Sequence, residues 1–169
     1  MERVLIVMRH AKSAWPMGVR DFDRPLGARG RRNAPASGRW ISQRVGRPDQ
    51  AVVSSANRTR LTWQLVEPEL AGRPADVDFR PGLYAATWWD LLDVVRTTPE
   101  ATQTLMLLGH NPSVEDLVTE LAGTGESRAM RQLRVKFPTS AVAVLTSDLA
   151  WREWGSNCAR LQDVFIPPR

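Results

Sequence analysis

Val4-Leu5-Ile6-Val7-Met8-Arg9-His10-Ala11-Lys12-Ser13 decides how the rest of the chain is read. Its apolar run stops abruptly at an arginine and a histidine, and the residues that follow do not extend it into a buried helix. A short β-branched run of this kind is a strand covered on both faces, as in parallel sheets. His10 therefore falls at a strand's C-terminal end. In open α/β sheets that edge is where ligands bind, because the loops leaving the strands form a crevice there. The only other histidine repeats the arrangement: Thr104-Leu105-Met106-Leu107-Leu108-Gly109-His110-Asn111-Pro112 is again an apolar strand ending in His. Two matching strand ends predict one shared site.

Outward from His10, the stretch from Ala11 to Gly27 carries Pro16, Gly18 and Pro25 without periodicity and reads as a long loop over the first strand's end. Loops of that length in compact domains are usually functional. Gly27 to Val45 reads as a helix with Ala34, Trp40, Ile41 and Val45 on its apolar side, and Pro35 is expected in its first turn or as a break. Gln50 to Ser54 is a short buried strand, after which Ser54 and Ser55 supply hydroxyls suited to capping a helix from Ala56 to Leu70. That helix begins with Arg58 in its first turn, where a cation opposes the helix dipole. Arg58 is thus expected to be held for an anion. Pairing with Glu67 or Glu69, about three turns away, is out of reach.

Val77 to Phe79 reads as a strand, and Trp88 to Arg96 as a helix packed on the sheet. Its Trp88-Trp89 pair reads as core and rim packing. Pro112 suits the first turn of a helix with Val114, Leu117, Val118 and Leu121 on one face, ended by Gly123 and Gly125. Ala141 to Leu145 is a final strong strand, with Trp151 to Trp154 expected beside it as an antiparallel edge. Strands alternating with helices imply a three-layer α/β/α fold with a mostly parallel sheet and an antiparallel edge strand.

At 169 residues and 43% hydrophobic, the chain fits one domain over residues 1–169 with a sizeable core. The net charge of +5 could suggest a nucleic-acid partner, but the 23 basic residues are scattered and only Arg29, Arg31 and Arg32 bunch together. No aromatic residues interleave with them as a stacking platform would need, so solvated faces rather than nucleic-acid binding are expected. Cys158 is the only cysteine, so no intramolecular disulfide or cysteine-rich metal site can form. No stretch resembles a signal peptide or approaches the ~18 apolar residues of a transmembrane helix. A soluble, cytoplasmic, monomeric protein without a membrane partner is expected.

Arg9, His10, Arg58 and His110 thus gather at strand ends and a helix start, two guanidiniums and two imidazoles forming an anion pocket. Phosphate is the natural occupant, since arginine forks match its oxygens bidentately and histidine can be a phosphoryl nucleophile. The arginines should keep His10 neutral, and phosphoryl transfer asks mainly for the positioning and charge stabilisation that such groups supply. Two histidines without clustered carboxylates or thiolates are too few for zinc, so no metal and no cofactor are expected. No Gly-x-Ser-x-Gly occurs to support a serine hydrolase.

Met8-Arg9-His10-Ala11-Lys12-Ser13-Ala14-Trp15, Asp23-Arg24-Pro25-Leu26 with Gly30, Val53-Ser54-Ser55-Ala56-Asn57-Arg58 with Thr62, Gly109-His110-Asn111-Pro112 and Phe137-Pro138-Thr139-Ser140-Ala141 together resemble the histidine phosphatase superfamily. Within it the chain is most similar to short SixA-type phosphohistidine phosphatases. The resemblance implies a phosphoglycerate-mutase-like fold, His10 as the phosphorylated nucleophile, and Arg9, Arg58 and His110 as ligands of the phosphoryl group. Three positions depart from the family pattern: Ala11 replaces a glycine, Ser55 a proline, and Asn111 stands where larger acid phosphatases have an aspartate. Mutase-like members carry a glutamate after the third strand, and Tyr84-Ala85-Ala86-Thr87 has none. No general acid is assigned, though Asp21, Asp23 and Asp90 are the carboxylates near enough in sequence to consider. A pocket without an acid fits a phosphoramidate better than an alkyl ester, because the ester expels a poor alkoxide. The expected substrate is phosphohistidine in a protein. The alternatives are a small-molecule phosphomonoesterase acting on nucleotide or sugar phosphates, and a phosphoprotein-binding module without turnover.

Overall fold

The computed structural model describes residues 1–73 and 75–169. Strands β1 (Arg3–Arg9), β2 (Gln50–Ser54), β3 (Asp76–Arg80), β4 (Thr104–Gly109), β5 (Ala122–Gly125), β6 (Val142–Ser147) and β7 (Ala159–Phe165) form one sheet in the order β3-β2-β4-β1-β6-β7-β5. Helices α1 (Ala28–Arg44), α2 (Asn57–Val66), α3 (Trp88–Arg96), α4 (Ser113–Leu121) and α5 (Ser127–Val135) cover it. β6 runs antiparallel to both its neighbours, and every other pairing is parallel.

β1 shows why the fold has three layers. Leu5, Ile6, Val7 and Met8 are all fully buried, and the two-residue period of a strand sends them alternately to opposite faces. Leu5 and Val7 join a core with Leu91, Leu117 and Leu133 of α3, α4 and α5. Ile6 and Met8 join a second core with Ile41 of α1 and Trp63 of α2. The α/β/α expectation is met, with the reversed strand β6 lying inside the sheet.

Three local expectations change. Pro35 neither starts nor breaks α1, which runs through it. An interior proline costs about 3 kcal/mol, but Gly30, Ala34, Ser37, Gly38 and Ile41 bury the helix on both sides of it. Gly123 and Gly125 do not end α4; they lie in β5, where a Cβ on Gly123 would sit 2.4 Å from the Asn157 carbonyl oxygen. Trp151 to Trp154 is no edge strand, because Trp151–Glu153 is a turn of 3₁₀-helix and the β6 partner is β7. The three-residue spacing puts both tryptophans in one core, ring centroids 4.9 Å apart, with the Trp151 indole N–H donating to the Thr102 carbonyl at 2.7 Å. Helix α5 has no counterpart in the sequence reading.

β1 and β4 pair in parallel with Arg9 opposite Gly109, and His10 N–H donates to the Gly109 carbonyl at 3.0 Å. The residues that follow the two strands are therefore neighbours by register. His10 and His110 are those residues.

Candidate active site

His10 and His110 meet with ring centroids 5.3 Å apart, both 7% exposed. His10 Nδ1 lies 2.8 Å from the Ala11 carbonyl oxygen. A carbonyl only accepts, so Nδ1 carries the ring hydrogen and Nε2 keeps its lone pair. Burial lowers the His10 pKa to about 3, with the positive charges of Arg58 and Arg9 adding to it. The ring is neutral as expected, but desolvation is the main cause and the arginines the lesser one.

His110 is held by a residue that the sequence reading gave another task. Its Nε2 lies 2.8 Å from the fully buried Ser54 Oγ. The Ala56 N–H also donates weakly to that hydroxyl at 3.4 Å, and the other ring nitrogen, His110 Nδ1, is buried without a protein partner. Ser54 thus orients an imidazole, and no side chain caps α2. Burial, and then the Arg58 charge, lower the His110 pKa to about 4.

Arg58 sits in the first turn of α2 and is 7% exposed. Its anion is Asp21, whose carbonyl and carboxylate accept from Nη1 and Nη2 at 2.8 and 3.2 Å. The Tyr84 hydroxyl also donates to Asp21, and Arg24 Nη1 donates to it at 2.9 Å. With these donors, Tyr84 first, the Asp21 carboxyl is held well below the usual carboxylate range. Its oxygens are engaged by Arg58, Arg24 and Tyr84. Asp90 is the capping box of α3, bonded to Thr87 at 2.7 Å, and Asp23 pairs with Arg20. None of the three suspected carboxylates lines the cavity described below.

The neighbouring motifs act as braces. Ala11 N–H donates to Thr62 Oγ1 at 3.0 Å, and that hydroxyl donates to the Arg58 carbonyl at 2.6 Å, tying the His10 loop to α2. Ala11 lies outside the positive-φ region, so the family's glycine is not needed for the turn. Ser55 uses the amide that a proline would lack, donating to the Arg80 carbonyl at 3.2 Å. The Phe137 carbonyl accepts from Arg9 Nη1 at 3.3 Å and from Asn111 Nδ2 at 2.9 Å, and the same amide reaches Glu115 at 2.9 Å. Asn111 is thus a donor to two acceptors, a task closed to an aspartate.

These groups surround a cavity of about 240 Å³ lined by Arg9, His10, Lys12, Ser13, Trp15, Arg24, Arg58, His110, Asn111 and Thr139. All four predicted site residues are on its wall, and no carboxylate is. Among the described residues, eight buried side-chain polar atoms lack a protein partner; four of them, Arg9 Nε, Arg58 Nε, His110 Nδ1 and Asn111 Oδ1, belong to this wall. Unpaired buried donors cost roughly 1–3 kcal/mol each, so the two arginine Nε–H groups suit an oxyanion, whereas Asn111 Oδ1 can only accept. A larger cavity of about 330 Å³ near Glu2, Val4 and Arg44 has none of this chemistry. The sequence reading missed Ser54 as a partner of His110, Arg24, and Tyr84, whose ring stands edge-on to His110 at 5.7 Å. Tyr84 occupies the loop after the third strand where only a missing glutamate had been noted.

The model of the histidine phosphatase superfamily (branch 1) matches residues 5–135. An uncharacterized protein of Mycobacterium tuberculosis is 33% identical over 162 residues, covering 95% of this chain and 99% of the relative. Among solved structures, a proposed phosphohistidine phosphatase SixA from Nakamurella multipartitia superposes with a TM-score of 0.85 at 32% identity, covering 99% of this chain and 97% of the other. The protein histidine phosphatase SixA complexed with tungstate gives 0.71 at 25% identity over 92% of this chain and 97% of the other. With Arg9, His10, Arg58 and His110 converging at the ends of parallel strands, the chain belongs to the histidine phosphatase superfamily.

Proposed function

We propose that the protein is a phosphatase that works through a phosphohistidine on His10, with phosphohistidine in a protein as its favoured substrate. The carrying observation is the His10 tautomer: Nδ1–H is committed to Ala11, which leaves Nε2 nucleophilic on the wall of a cationic cavity. Nε2 attacks phosphorus, the bond from phosphorus to the substrate nitrogen breaks, and the leaving imidazole takes a proton from solvent water. Water then attacks the phospho-His10, releasing inorganic phosphate and restoring the ring. Arg9, Arg58 and His110 stabilise the equatorial oxygens during both steps. The scheme uses side chains of the chain alone, with no cofactor. The tungstate bound by a similar SixA structure is an oxyanion suited to such a pocket.

The substrate preference rests on the carboxylate-free wall. A positioned general acid supplies roughly 10²–10⁴-fold in rate, so alkyl phosphates should lag phosphohistidine by at least that range. The test is a side-by-side turnover assay with a phosphohistidine protein, an aryl phosphate and sugar phosphates, in chelator, with alkaline quenching to preserve the intermediate. Wild type should label His10, and His10→Ala should abolish turnover. Asp21→Asn should slow all substrates by a common factor, because Asp21 positions Arg58 and gives no proton. Label on His110, or full activity in His10→Ala, would sink the mechanism. A sugar phosphate turned over as fast as phosphohistidine would transfer the protein to the small-molecule phosphomonoesterases.

A further inference from the structure

Basic residues scattered in sequence come together beside the cavity. A groove of about 140 Å³ is lined by Arg29, Asn33, Lys136, Thr139 and Arg169 beside apolar residues such as Ile166 and Pro167, with no acidic side chain on its wall. Thr139 also lines the catalytic cavity, so the two share a wall. Arg29 belongs to the first turn of α1, which holds no acidic residue and no side-chain cap. Among the described residues, Arg29 and Lys136 carry no ion pair, although Arg58, Arg24, Arg39 and Arg160 each find a carboxylate.

The chain entering the groove continues the pattern. Helix α5 buries Ala129 and Leu133 and exposes Arg128, Arg131 and Arg134, which follow one another at three-residue intervals and lead to Lys136. Like charges at that spacing on a helix repel and destabilise it. Along the chain these exposed arginines lead into Lys136 on the groove wall, so the outer face of α5 adds positive charge next to it in sequence. A surface of one sign of charge steers and orients a partner of the opposite sign.

From this placement we infer that the groove between α1 and residues 136–139 receives an acidic side chain of the phosphoprotein, adjacent to its phosphohistidine, and that α5 extends the contact across an acidic surface. The inference rests on the phosphohistidine reading above. It adds what selects the partner: carboxylates flanking the modified histidine.

The test uses peptides phosphorylated on histidine with glutamate or glutamine on both flanks, and phosphoimidazole as a substrate too small to reach the groove. Wild type should show a kcat/KM about tenfold higher for the acidic peptide, carried by KM and erased by 0.5 M salt. Arg29→Gln/Lys136→Gln should lose the preference while phosphoimidazole turnover stays unchanged. The control Arg39→Gln/Arg152→Gln, with the same change of net charge at exposed positions elsewhere, should keep it. Equal rates for the two peptides, or a preference that survives in Arg29→Gln/Lys136→Gln, would overturn the inference. Failure to hydrolyse phosphoimidazole would instead refute the phosphatase reading. In that event fluorescence anisotropy of the unphosphorylated acidic peptide, wild type against the double variant, still decides the groove. Tighter binding of a bisphosphorylated small molecule or of single-stranded DNA than of the acidic peptide would also count against it.

Discussion

His10 and His110 are two side chains whose protonation the fold controls strongly. Burial first, and the cations second, bring them to about 3 and about 4, against ~6.5 in an unfolded chain. Because the folded values are the lower ones, the unfolded state binds protons first as pH falls. Their contribution to stability is full above ~6.5 and is lost as pH falls toward the folded values, at up to about 1.4 kcal/mol per pH unit for each ring. Thermal melts between pH 4 and 7.5 should show this slope, and His110→Gln should reduce it; a flat profile in wild type would contradict the buried neutral pair. These residues were legible in the sequence because each ends an apolar run. Asp21, Arg24 and Tyr84 were not, since they sit in aperiodic loops and find one another across 63 residues, from Asp21 to Tyr84. A carboxylate's partner in a loop leaves no spacing to read.

Elements, in turn, were legible where burial is dense and illegible where it is thin. β1, β2, β4 and α3 follow from apolar runs or periodicity. α5 rests on Ala129 and Leu133 amid arginines, too short an apolar stripe to announce a helix, and β5 is half glycine. One element contact depends on a missing side chain. A Cβ on Gly30 would lie 2.2 Å from the Lys12 carbonyl oxygen, the same oxygen that accepts from Gly27 N–H at 2.9 Å. α1 therefore presses on the loop two residues beyond His10. Gly30→Ala should destabilise the protein by about 1–3 kcal/mol through this overlap. Because the Lys12 backbone must move, activity should fall further than the unfolded fraction explains. Denaturant titration with steady-state kinetics at one temperature checks both, and an alanine variant as stable and active as wild type would show that the loop yields freely.

At the scale of the whole molecule, protection from solvent should be graded from the middle of the sheet outward. Amides of Ile6–Met8 and Leu105–Leu108, on strands flanked on both sides and buried on both faces, should exchange hydrogen only by global unfolding. Those of β5, at the sheet's edge, should exchange far sooner. Hydrogen exchange read by mass spectrometry or NMR tests this, and early exchange of β1 would disprove it. The central position of β1 also bears on biosynthesis. Its two partners lie at residues 104–109 and 142–147, so this strand is made about a hundred residues before either strand that encloses it. A nascent chain carries Val4–Met8 as an unpaired sticky segment through most of translation, the state most prone to aggregation. His10, which ends that segment, can meet His110 only once β4 has been made and laid beside β1.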